Sequence, residues 1–158
     1  MRRDASGLRD RVLAAIEVPA LGIWLGMLIG FAFISAPIAF NLFAPLDMNR
    51  FAIATASNLM VLTTCGYVLG GIAIVAALFR AVTAGDRTWD AARVTLVLLA
   101  LGLSTYEARV VVPEMTATPD LRGPAYRALH QRSSQIYGGV VLFGLVALIL
   151  AAGRREET

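Results

Sequence analysis

The fold is decided by an uncharged stretch, Pro19 to Leu46, that reads PALGIWLGMLIGFAFISAPIAFNLFAPL. An α-helix rises about 1.5 Å per residue, so roughly 20 apolar residues cross a hydrocarbon core of about 30 Å, and this stretch is longer than that. A helix that is apolar on every side has no stable place on the surface of a water-soluble protein. The stretch therefore predicts a membrane span.

Three further apolar segments follow the first one. The third segment has a charge-free core of residues 94–106 only, so it must carry charged residues at or just inside the apolar boundary. Together the segments predict an all-α fold, an integral membrane four-helix bundle with a transmembrane domain of residues 18–152. The predicted spans cover residues 18–43, 51–79, 91–112 and 124–152, and Pro37 is expected to kink the first because proline removes a backbone hydrogen bond.

Two short segments flank this domain. Residues 1–17 are basic, and Leu8, Val12, Leu13 and Ile16 recur there at helical spacing, which predicts a short interfacial helix before the first span. Residues 153–158 form a polar C-terminal tail.

The composition and the charges agree with a membrane protein. Of the 158 residues, 16% are charged, compared with about 25% in an average soluble domain. The net charge is +3 and all 14 basic residues are arginine, but they lie at the ends of the apolar runs rather than along one face. This distribution indicates lipid headgroups rather than nucleic acid as the partner. With four spans, nine arginines fall on the side of the termini and five on the other, which predicts cytoplasmic termini.

Glycines recur at four-residue spacing in the first two spans. Gly22, Gly26 and Gly30 form one stripe, and Gly66 and Gly70 form a second. Small residues let a neighbouring helix approach closely in lipid. The partner is either another helix of the same bundle or a helix of another subunit in an oligomer.

Glu107 and Arg109 are the least expected residues because they stand near the end of the third span. Intramembrane charges usually face a cavity or a partner charge. One interpretation is a polar pocket at the outer ends of spans three and four. The other is an interfacial ion pair of Glu107 with Arg109 or Arg132, in which Arg109 extends towards the headgroups.

One face of span four adds polar residues to this pocket. His130, Ser134, Tyr137 and Val141 lie on that face, and Tyr106 and Glu107 can meet it from span three. His130 is interpreted either as a titrating or ion-binding group beside a carboxylate or as a hydrogen-bonding residue at the membrane surface. The candidate pocket comprises Tyr106, Glu107, Arg109, His130, Arg132, Ser134 and Tyr137.

Several chemistries find no support in the sequence. The chain has one histidine, His130, and one cysteine, Cys65, so bis-histidine haem, a zinc site and an intrachain disulfide are not expected. Motifs of serine hydrolases, zinc peptidases and phosphate-binding loops are missing. We therefore expect a protein that is not an enzyme and that needs no cofactor or metal.

The chain resembles the transmembrane-protein-205-like family of small four-span membrane proteins, a domain of unknown function. The matching pieces are Phe33-x-x-x-Pro37-x-x-Phe40, Gly66 with Gly70, YEARVVVP from Tyr106 to Pro113 and LHQRSS from Leu129 to Ser134. The chain departs from the family pattern at Glu107 and Tyr137, where asparagine is common. The resemblance implies a four-helix fold and a bacterial inner-membrane location, but no reaction, substrate or cofactor.

Two functions follow as hypotheses. The first is a membrane protein that acts by helix association, as a subunit or scaffold, either in a homo-oligomer or with another membrane subunit. The alternative is a small transporter or exporter that works as an oligomer, with the candidate pocket as its polar entrance.

Overall fold

The computed structural model describes residues 2–83 and 87–153, and within these ranges every regular element is helical. The elements are α1 (Arg2–Gly30), a first π-helical segment (Phe31–Ser35), α2 (Ala36–Phe43), α3 (Met48–Thr83), α4 (Arg87–Tyr106), a second π-helical segment (Glu107–Val111), α5 (Val112–Ala117) and α6 (Pro124–Gly153). In the described ranges, four continuous helical runs are long and apolar enough to cross a membrane. The predicted all-α four-helix architecture is confirmed.

The observed helices extend further than the predicted spans. The segment predicted as a short interfacial helix leading into the first span is continuous with it, since α1 runs from Arg2 to Gly30. The third span continues past Pro113 to Ala117, beyond its predicted end at residue 112. The described part of the predicted C-terminal tail is Gly153, which is the last residue of α6, and residues 154–158 lie outside the described ranges.

Each π-helical segment ends two residues before a proline. In span one, the amide of Ala36 bonds the carbonyl of Phe31, five residues back, and Pro37 follows. In span three, the amide of Val112 bonds the carbonyl of Glu107, and Pro113 follows. Proline has no amide hydrogen and its ring crowds the carbonyl of the preceding turn, so a locally wider helix accommodates it without ending the span.

The four spans form a ring in chain order. Span one packs on spans two and four, and span three also packs on spans two and four. Antiparallel neighbours joined by short connections give this order. The start of α1, the end of α3, the start of α4 and the end of α6 therefore share one end of the bundle, here called the terminal end, and the turns at residues 44–47 and 118–123 share the opposite end.

The core of the bundle combines large side chains of span one with small ones of its neighbours. Trp24 and Leu21 of α1 are 1% and 0% exposed. Ala73, Ala100 and Ala147 contribute small side chains from the other three spans. Only 22–39% of the most apolar window of each span is buried against the rest of the chain, so most of its side chains face outward.

Candidate functional site

The strongest candidate for a binding site centres on Glu107, the first residue of the second π-helical segment. Glu107 is only 4% exposed. A buried carboxyl group is unusual on a membrane-spanning helix. The hydroxyl of Ser133, on α6, donates a hydrogen bond to Glu107 Oε1. The other oxygen, Oε2, is buried and has no hydrogen-bond partner among the described residues. The carboxyl group is thus half satisfied.

A small cavity adjoins this carboxyl group in the middle of the bundle. Its polar lining comes from spans two, three and four and consists of Thr63, Ser104, Glu107 and Tyr137. The cavity offers about 10 Å³ to the centre of a water molecule, which is room for about one water or one small ion. Its apolar lining consists of Leu28, Leu59, Leu62, Ile136 and Val140.

Tyr137 connects this cavity to span one. Its hydroxyl donates a hydrogen bond of 2.9 Å to the backbone carbonyl of Leu28, three residues before the first π-helical segment. The hydrogen of the phenol is therefore used in the bond to the Leu28 carbonyl. The phenol oxygen keeps its lone pairs, so it remains an acceptor.

Tyr106 and Arg132 form a pair between spans three and four, next to Glu107. The guanidinium of Arg132 donates a hydrogen bond to the Tyr106 hydroxyl, and its central carbon lies 5.3 Å from the centre of the Tyr106 ring. This distance is within the range of a cation–π contact. Arg132 itself is exposed, so the pair forms a rim rather than part of the cavity wall.

The remaining predicted pocket residues lie outside the cavity. His130 is exposed and stacks on Tyr126, with ring centres 6.3 Å apart. Ser134 is exposed, and its hydroxyl donates to the His130 carbonyl at 2.9 Å. Arg109 is exposed too, and no ion pair joins Glu107 to Arg109 or Arg132 in the described part of the chain. The structure therefore brings Glu107 and Tyr137 together and leaves the basic residues at the periphery.

The two predicted glycine stripes have different surroundings. A Cβ atom added at Gly66 would lie 2.8 Å from Nε1 of Trp24, and one at Gly70 would lie 3.2 Å from the side chain of Leu101. Both positions are filled by neighbouring helices of the same bundle. At Gly22, Gly26 and Gly30 a Cβ atom would meet no described atom within 4 Å, so this stripe faces away from the bundle.

A buried charge network at the terminal end was not identified from the sequence. Glu17, Arg80, Asp90 and Arg93 are each at most 3% exposed. Glu17 Oε2 accepts hydrogen bonds from Arg80 and, at 3.3 Å, from Arg93, which also pairs with Asp90. The sequence places Glu17 in the predicted interfacial segment, and Arg80 and Asp90 between the second and third predicted spans. The missed signal is that an antiparallel bundle brings the start of span one, the end of span two and the start of span three to one level.

These features define a multi-pass helical membrane protein with a buried carboxyl group beside a small internal cavity. The chain belongs to the family of the domain of unknown function DUF4149, whose model matches residues 20–124. No curated protein and no solved structure matched the chain. The matched region covers Glu107 and nearly all of spans one to three, and it ends where α6 begins.

Proposed function

We propose that this protein acts by association with a further membrane helix, as a non-enzymatic subunit or scaffold of a membrane complex, through the outward face of α1. The observation that carries the proposal is the open space around Gly22, Gly26 and Gly30. Glycines at this spacing form a shallow groove in which two helix backbones approach closely in lipid. Gly66 and Gly70 have the same spacing, but neighbouring helices of the bundle already occupy their surroundings.

The same face of α1 continues towards the N terminus. Leu8, Val12 and Ile16 are 67%, 51% and 47% exposed, and their four-residue spacing places them above the glycines on one side of the helix. They lie on the terminal side of Glu17 and its charge network. Buried charges are least costly near the membrane boundary, so we infer that the charge network lies at this boundary. The three apolar side chains then lie beyond the lipid tails. A partner helix would cover them as well as the glycines.

Replacing Gly26 with leucine tests this surface. The larger side chain would separate the two helices, and we expect the apparent dissociation constant of the complex in mild detergent to rise at least about tenfold, or about 1.4 kcal/mol. The matched control is Gly71→Leu, because a Cβ atom at Gly71 also meets no described atom within 4 Å but lies on α3. Light scattering coupled to size-exclusion chromatography measures the assembly.

The result separates a specific surface from a general effect. If both leucine variants assemble like the wild-type protein, or if the wild-type protein is a monomer without a copurifying partner, the association proposal is wrong. If both variants lose assembly equally, α1 is not the contact surface.

The orientation and the location are part of the proposal. The excess of arginine on the side of the termini supports cytoplasmic termini, and the resemblance to transmembrane-protein-205-like proteins supports a bacterial inner membrane. Reporter domains fused to either terminus are expected to be active in the cytoplasm. Activity of an export-dependent reporter at either terminus would contradict this orientation.

A small transporter that works as an oligomer is the second candidate function. It is supported by the buried carboxyl group of Glu107 on the wall of an internal cavity. Flux through the reconstituted protein should then fall in Glu107→Gln. Flux that survives this substitution would remove the candidate.

A further inference from the structure

The cavity beside Glu107 presents more hydrogen-bond acceptors than donors, a property that the association proposal does not use. Ser133 uses its hydroxyl hydrogen on Glu107 Oε1, and Tyr137 uses its own on the Leu28 carbonyl. Glu107 Oε2 is left without a partner among the described residues. The hydroxyls of Ser104 and Thr63, which also line the cavity, can rotate to present lone pairs.

The charge around the cavity is also one-sided. None of the nine described residues that line it is basic. Arg132 and His130 lie at exposed positions on α6 and do not line the cavity. A buried carboxylate that forms no ion pair is costly, so the site favours a ligand that brings a positive charge.

The oxygen atoms that line the cavity and its small volume restrict which group can bind there. Carboxylate and hydroxyl oxygens suit hard cations rather than soft metals. Sites for divalent Mg²⁺ or Ca²⁺ usually combine several charged or carbonyl oxygens, whereas this site has a single carboxyl group. The volume accommodates about one water-sized particle. A small monovalent cation suits the oxygen ligands, the single carboxyl group and the water-sized volume.

We propose that this cavity binds one Na⁺ ion, with Glu107 Oε2 as the charged ligand and the hydroxyl oxygens of Tyr137, Ser104 and Thr63 as neutral ligands. The second π-helical segment, which begins at Glu107, is consistent with this role because π-helical turns often occur at functional sites. The ion would connect spans two, three and four.

The test uses the full chain purified in detergent and Na⁺ itself as the probe. Radioactive Na⁺ in equilibrium dialysis is expected to bind at about one ion per chain. Trp24 is 1% exposed, so its fluorescence reports on unfolding. The thermal midpoint of the protein should be several degrees higher in NaCl than in choline chloride at equal ionic strength, because a ligand that binds the folded state stabilises that state. We expect KCl to have a much smaller effect, because K⁺ is larger than Na⁺.

Two variants and one control assign the effect to this cavity. Glu107→Gln should abolish both Na⁺ binding and the sodium-dependent shift, whereas Glu114→Gln, at an exposed glutamate of the same span, should retain both. Thr63→Val keeps the shape of the side chain, leaves the charge unchanged and removes one ligand. It should raise the dissociation constant for Na⁺ several-fold even if Glu107→Gln fails to fold.

Three outcomes would overturn the proposal. One is a wild-type protein that binds no Na⁺ or responds equally to NaCl, KCl and choline chloride, which would leave the cavity with water or a proton only. The second is a folded Glu107→Gln variant that binds Na⁺ like the wild-type protein. The third is an unchanged Na⁺ affinity in Thr63→Val. Assembly through α1 is measured separately, so failure here leaves the association proposal intact.

Discussion

At the residue scale, the side chain at the centre of the buried charge network is Glu17. It is 1% exposed, and its Oε2 atom is shared by Arg80 of span two and Arg93 of span three. Among the described residues, the network also includes Asp90, which pairs with Arg93. Glu17 thereby joins three spans at the terminal end of the bundle.

Replacing Glu17 with alanine should be strongly destabilising. The change removes the carboxylate shared by two buried guanidinium groups, and breaking a buried ion pair from one side costs about 3–5 kcal/mol. The matched control is Glu114→Ala, where the side chain is exposed and the loss should stay below about 0.5 kcal/mol. Thermal or denaturant unfolding of the purified variants measures the difference. Equal stability of the two variants would mean that the network contributes little.

At the element scale, the packing of spans one and two depends on a close contact between Trp24 and Gly66. The Trp24 ring is buried in the core, and a Cβ atom at Gly66 would lie 2.8 Å from Nε1 and 3.0 Å from Cε2 of that ring. A rigid ring among packed helices cannot move away freely, so the two spans would have to separate.

Gly66→Ala should therefore destabilise the bundle by about 1–3 kcal/mol, the usual effect of overpacking a core. Gly71→Ala is the control, because it makes the same chemical change on the same helix in open space. The control should leave the thermal midpoint unchanged or raise it slightly, since alanine favours the helix by about 1 kcal/mol over glycine. A Gly66→Ala variant as stable as Gly71→Ala would show that the Trp24 contact is not tight.

The comparison of these elements also shows what the sequence can predict. Apolar length predicts spans one, two and four directly, because a span must match the thickness of the hydrocarbon core, whereas the third span also needs charged residues at its boundary. Four-residue spacing places Gly22, Gly26 and Gly30 on one face, and Gly66 with Gly70 on another, but it does not say which face meets a neighbour. That answer needs the ring order of the spans.

The same limit applies to the polar residues of the candidate site. The sequence groups Glu107 and Tyr137 through the spacing on spans three and four, and both line the cavity. It does not predict that Thr63 of span two lines the same cavity, or that the Tyr137 hydroxyl bonds the Leu28 carbonyl of span one. Such contacts join residues far apart in the chain, and no local pattern encodes them.

At the scale of the whole molecule, the arrangement reverses that of a water-soluble bundle. The most polar buried groups, Glu17 with its arginines and Glu107, lie between the helices. Large apolar side chains such as Phe33, Val75 and Ile149 lie outside, where they are 75%, 57% and 58% exposed. An exposed apolar surface of this extent is stable only when lipid tails or other protein helices cover it.

The whole chain should therefore behave as an integral membrane protein during extraction. We expect it to remain in the membrane pellet after washing with alkaline carbonate, which releases proteins held to the surface by charge, and to enter solution only with detergent. The physical reason is that no more than 39% of the most apolar window of any span is buried within the chain, so transfer to water would expose the remainder. Immunoblotting of pellet and supernatant measures the distribution, with a peripheral membrane protein as the internal control for release. Recovery of the intact chain in the carbonate supernatant, with the pellet still holding a known integral protein, would contradict lipid exposure of the spans, and the contact surface on α1 and the membrane orientation would have to be abandoned with it.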